Sequence, residues 1–139
     1  METAAEKKIK SFEDALALAG TEKEKAFFSD EQLMAQFEPD EIAYKKMKVI
    51  TRALNTDPET KEVWQPDWIN YDQWKYYPWF NMNPDEKDAA GVGFSDGDCV
   101  LTVTHSSVGS RLVFKTRELA KYAGTQFTEI YKEYFVIKK

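Results

Sequence analysis

His105 and Cys99 are the one histidine and the one cysteine of the chain, and so its only conventional nucleophile–base candidates. They lie six residues apart on CVLTVTH, a stretch that reads as a β-strand. Even spacing puts both side chains on one face, but about 20 Å apart along the strand, so neither can activate the other. Cys99 reads as a small core residue and His105 as a group at a strand end near a turn. There is no CxxC, no HExxH and no zinc-ligand spacing. GVGFSDG has glycines without the dinucleotide pattern, and no phosphate loop occurs. Asp85, Glu86 and Asp88 lack calcium-loop spacing, and Asp96 and Asp98 straddle a glycine as turn residues do. The residues therefore predict no metal, no cofactor and no enzyme. Paired carboxylates leave no sequence signature, so a hydrolase built on Asp and Glu alone is the one catalytic reading left open.

The aromatic residues offer a different chemistry. All four tryptophans, Trp64, Trp68, Trp74 and Trp79, fall between residues 64 and 80 with Tyr71, Tyr76, Tyr77 and Phe80, eight aromatics in 17 residues. Such a cluster can fill a core, each ring burying about 150–250 Å². It can also anchor a protein interface or stack on nucleobases. KYYPWF reads as an edge strand because of Pro78. Alternation then sends Tyr76, Pro78 and Phe80 one way and Lys75, Tyr77 and Trp79 the other. Lys75, Tyr77, Trp79 and Trp74 are the expected partner-binding residues, with Arg111 and Lys115 as a basic rim.

These residues need elements to position them. Ser11 with Asp14 three residues on, and Gly20 after Ala19, predict a helix over 11–19. A short helix is expected from Asp30 to Phe37, capped by Ser29 or Asp30, with Phe27 and Phe28 stapling its start. Pro39 suits a first helical turn, and Ile42, Ala43, Met47, Ile50, Ala53 and Leu54 repeat at helical spacing until Asn55 and Pro58 end the run. Residues 56–74 show no period and read as an extended loop containing W-x-PDW. The strand signal is clearest in VGF, CVLTVTH and RLVF, separated by SDGD and SSVGS as turns. Thr116 then caps one long helix to about Phe135, with Leu119, Ala120, Ala123, Phe127, Ile130, Tyr131 and Tyr134 as its apolar stripe. The expected fold is α+β: N-terminal helices, an antiparallel three- to four-stranded meander, and a long C-terminal helix packed on the sheet. All 139 residues are expected to form a single domain, with residues 1–10 a flexible N-terminus.

The bulk properties narrow the partners. One cysteine excludes an intrachain disulfide and suits a reducing cytoplasm; the charged N-terminus reads as neither signal peptide nor membrane span. A net charge of −5 gives no general field for holding long nucleic acid, so a protein partner or a small nucleotide is favoured. The 84–98 stretch is acidic and 110–139 is basic, as solvated surfaces often are. An exposed edge strand would also allow homodimer pairing.

KKIKSFEDALALAG, KVITRALN, W-x-PDW, KYYPWF and GSRLVFKTRELAKYAGTQFTEIYKEYF together cover most of the chain. They resemble a group of small proteins encoded by phages and prophages of gut Bacteroidetes, loosely linked to inhibitors of CRISPR effectors. The resemblance implies a non-catalytic phage or mobile-element protein, cytoplasmic in a bacterial host. It would bind and inhibit a host defence protein, with a Cas9-type RNA-guided nuclease as the named candidate. It carries no functional residues over to this chain. Two alternatives stand beside it: a nucleotide or single-stranded nucleic-acid binder using the aromatic surface, and a phage structural or packaging protein.

Overall fold

The structure, a computed structural model, describes residues 8–70, 72–78 and 111–135, and the backbone of 99–102. Tyr71, Trp79, Phe80, His105, the VGF segment, both expected hairpin turns and the acidic 84–98 stretch lie outside the described residues.

Helix α1 spans Phe12–Ala19 and begins with the predicted reciprocal cap: Asp14 N–H donates to Ser11 Oγ at 3.2 Å, and Ser11 N–H donates to the Asp14 carboxylate at 3.1 Å. Gly20 ends it for reasons of space, since its φ is an ordinary −69°. A Cβ there would sit 2.5 Å from the Leu16 carbonyl oxygen and 2.6 Å from Leu16 Cδ1. Helix α2, Glu22–Phe28, has a second reciprocal cap between Thr21 and Glu24. This helix was not expected, because EKEKAFF shows no apolar stripe; its sequence signal is the capping pair. Helix α3 is a single turn, Glu31–Met34, capped by Asp30, where a helix to Phe37 was expected. Phe12, Phe28, Phe27 and Phe37 form a chain of edge-to-face contacts with centroids 4.7–5.2 Å apart, which joins α1 to α2 and to the chain after α3.

Helix α4, Pro39–Leu54, is the centre of the molecule, with Pro39 at its first position. Of the predicted residues Ala43, Met47, Ile50, Ala53 and Leu54 are buried and Ile42 is half-buried, and Val49 and Thr51 are buried as well. Its C-terminal half is therefore enclosed on more than the predicted face. α1 and the helix over Thr128–Phe135 pack against it. The core also takes in Ile9, at 1% exposure, which lies within the 1–10 segment expected to be flexible.

Two parts of the expected architecture are corrected. The first is the C-terminal helix, which is two helices: α5, Arg117–Gln126, and α6, Thr128–Phe135, with Phe127 between them at φ −113°, ψ 32°. Thr125 Oγ1 donates to Lys121 O at 2.8 Å, and Thr128 Oγ1 donates to Gly124 O and Thr125 O at 2.8 Å. Hydroxyls bonded back to the preceding turn compete with the helical ladder and bend it. The apolar stripe survives the break, since Leu119, Ala120, Ala123, Phe127 and Tyr131 are buried and Ile130 and Tyr134 pack partly buried against them.

The second correction is the α+β class itself. Among the described residues the protein is mostly helical, and they show no three- to four-stranded meander. Among the described residues strand is confined to β1, Lys75–Pro78, and β2, Cys99–Thr102, paired antiparallel with Tyr76 opposite Leu101. RLVF contributes a single bridge, in which Tyr76 and Phe114 exchange both backbone hydrogen bonds at 3.2 and 2.7 Å. β1 thus has a neighbour on both sides and is not the edge strand that Pro78 suggested. Pro78 points the same way as Tyr76 along the strand and has no N–H to donate, so the ladder to Phe114 cannot extend through it. α5 lies against β1. No helix among the described residues is long and apolar enough to cross a membrane.

Candidate functional site

Of the expected contact residues, Lys75 departs furthest from expectation. It is fully buried. Its ammonium donates to the carbonyl oxygens of Gln73 at 2.9 Å and Asn70 at 3.2 Å, and it sits 5.2 Å from the centroid of the Trp68 ring. A buried cation needs such partners, and here they are the loop that leads into β1. Lys75 is therefore a pin for that loop. The loop has its own network as well: Asp67 N–H donates to Gln73 Oε1 at 2.6 Å, Ile69 N–H to Asp67 Oδ1 at 3.1 Å, and Asp72 N–H to Asn70 Oδ1 at 3.0 Å. Two apolar side chains stand out from it, Ile69 at 85% exposure and Trp74 at 46%. Tyr77 is half-buried on β1, and Trp79 lies outside the described residues.

Below this loop is a cleft of about 390 Å³. One wall is a polar stripe of α4: Lys48, Thr51, Arg52 and Asn55, spaced i, i+3, i+4, i+7. The second wall is Trp64, Gln65, Pro66 and Trp68; the third is Arg111 and Val113. Asn55 holds the walls together. Its side-chain amide donates to Val113 O at 2.9 Å and accepts from Lys115 N–H at 3.0 Å, while its own carbonyl accepts from Trp64 N–H at 2.9 Å. A turn brings Trp64 to this place: Thr56 bridges Val63, Asp57 N–H donates to Glu62 O, and Lys61 takes a left-handed φ of 66°. Hydrogen bonds from Glu59 and Thr60 N–H hold the Asp57 carboxyl below the usual range.

Comparison with family models, curated proteins and solved structures found no match to this chain.

The charge in the cleft is uneven. Among the described residues its walls hold Lys48, Arg52 and Arg111 and no carboxylate, in a chain of net charge −5. Arg52 is already engaged: it donates to Glu24 at 2.7 and 3.1 Å and to Ala19 O at 2.9 Å, tying α4 to the α1–α2 junction. Partial burial pushes the Glu24 carboxyl up, but hydrogen bonds from Arg52 and Thr21 and the Arg52 charge outweigh it, and the group titrates below its ordinary value. Among the described residues Lys48 and Arg111 have no ion-pair partner. Thr51 Oγ1 is buried without a hydrogen-bond partner. Of the expected site residues the cleft gathers only Arg111; Lys115 is tied through its backbone to Asn55, and Trp74, Lys75 and Tyr77 follow the loop and β1. Lys48, Thr51 and Asn55 are not among the expected site residues, because off-stripe polar positions of a helix read as solvated surface and Asn55 as a helix stop. Among the described residues no three His, Cys, Asp or Glu side chains converge as a metal site requires.

Proposed function

We propose that this is a non-catalytic binding protein that occupies and inhibits a host defence protein, and that the loop over residues 66–74 is its recognition element. The observation behind it is the pairing of exposure with order: Ile69 and Trp74 stand out from a loop cross-braced by Lys75, Asp67, Asn70 and Gln73. An apolar anchor on a pre-ordered loop loses little freedom on binding, which is how a few residues come to dominate an interface. The resemblance to phage and prophage proteins gives the partner class, and a Cas9-type nuclease is the first to test. The experiment combines a pull-down with a DNA-cleavage assay on a purified Cas9-type nuclease from a gut bacterial host. Retention and slowed cleavage are expected, both lost at least tenfold in an Ile69→Ser, Trp74→Ser double variant. Full cleavage without retention overturns the nuclease as partner, and inhibition unchanged in the double variant overturns the loop.

A further inference from the structure

We propose that the cleft between α4 and Trp64–Trp68 is a binding site for a phosphorylated nucleotide, with Lys48, Arg111 and Thr51 holding the phosphate and the indole wall receiving the base. This goes beyond the loop reading and uses other side chains. The volume of about 390 Å³ falls in the range of about 300–1,000 Å³ usual for small-ligand sites. The lining supplies both halves of a nucleotide's chemistry. Cations gathered in one cleft, with no carboxylate among its described lining residues, give a local positive field in an acidic protein. Lys48 and Arg111 make no ion pair with a described residue; Lys48 rests 5.6 Å from the Tyr44 ring centroid, and Arg111 is exposed. Arg52 is not counted among the phosphate ligands, because its charge is already paired with Glu24 and three of its five donors are spent on Glu24 and Ala19 O.

Thr51 is the second, independent observation. It is 2% exposed, its hydroxyl has no hydrogen-bond partner, and it lines the cleft between Lys48 and Asn55. A helical threonine ordinarily bonds its hydroxyl to the preceding turn, as Thr125 and Thr128 do here. A buried donor left unsatisfied is costly, and a turn of the Thr51 side chain toward the cleft would let a phosphate oxygen satisfy it. Opposite stand Trp64 and Trp68, the latter backed by the Lys75 ammonium. Indole walls beside an anion site favour a flat π-ligand over a bare anion or an acidic peptide.

Calorimetric titration of the full chain with AMP, adenosine, inorganic phosphate and a 5′-phosphorylated oligothymidylate tests this. AMP or the oligonucleotide is expected to bind, whichever is tighter identifying a free nucleotide or a strand end as the source. Adenosine and phosphate alone are each expected to bind at least tenfold more weakly. Lys48→Gln and Arg111→Gln, surface changes that keep the fold, should each weaken binding about tenfold, and Thr51→Val several-fold. The Ile69→Ser, Trp74→Ser variant should bind as the wild type does, which separates this site from the loop. No heat with any probe at millimolar concentration overturns the proposal. So does phosphate binding as tightly as AMP, or wild-type affinity in both glutamine variants.

Discussion

Asn55 shows what one side chain can do when its amide copies a backbone. It donates to Val113 O and accepts from Lys115 N–H, the two groups that a neighbouring strand would engage. Removing a buried partner of two hydrogen bonds strands both, at about 1–3 kcal/mol each. Asn55→Ala should therefore lower unfolding stability by about 2–5 kcal/mol in urea titrations, and Asn55→Asp should not restore it, because a carboxylate cannot donate to Val113 O. Glu24 makes a prediction in pH. Its folded-state value lies below the ordinary 4.5, so its contribution is present above that value and is lost as pH falls through the folded value. Glu24→Gln should be less stable than wild type at neutral pH, with the gap narrowing below about pH 4.5, as melts across pH 3–7 would record. Such residues were legible in part. Asn55 was read as a helix stop, which it is, but its bonds to Val113 and Lys115 join positions 58 and 60 residues away. No local pattern carries that information.

At the scale of elements, what was legible was periodic. The apolar repeats of α4 and of α5–α6 fall on the buried faces they predict, because a helix must bury one stripe. Caps were legible too, at Ser11, Asp30 and Thr116. The sheet was misread because β-branched and aromatic residues report only a preference for packing on a pleated surface, not which strands will pair. RLVF supplies Leu112, Val113 and Phe114 to the core while offering β1 a single bridge. The candidate site suffered likewise: alternation along KYYPWF assumed an edge, and with neighbours on both sides Lys75 turned inward. The α1–α2 junction makes a test. Gly20→Ala forces a methyl against Leu16 and should cost about 1–3 kcal/mol by chemical denaturation, although the backbone there suits any residue.

At the scale of the molecule, the two ends of the described chain meet. Tyr122 Oη donates to Ile9 O at 2.6 Å, and Gln126 Nε2 donates to Lys10 O at 2.7 Å. The first described residues are thus closed onto α5, and Ile9 fills the core beneath them. Ile9→Ala should cost about 2–5 kcal/mol, against a change within about 0.5 kcal/mol for Ile69→Ala, the same substitution on an exposed loop. Paired thermal melts of the two variants give the comparison directly. Its outcome bears on function, since a loop that can be altered without loss of stability is free to be shaped by whatever it binds.

The Asn55 amide has one more consequence, in time rather than energy. Because it bonds the chain on both sides of Phe114 while Phe114 bonds Tyr76, the end of α4 and the strand pair cannot open separately. The amide protons of Phe114, Lys115 and Tyr76 should exchange with deuterium at one common slow rate, set by unfolding of the whole, and in Asn55→Ala the Lys115 proton should leave that group first.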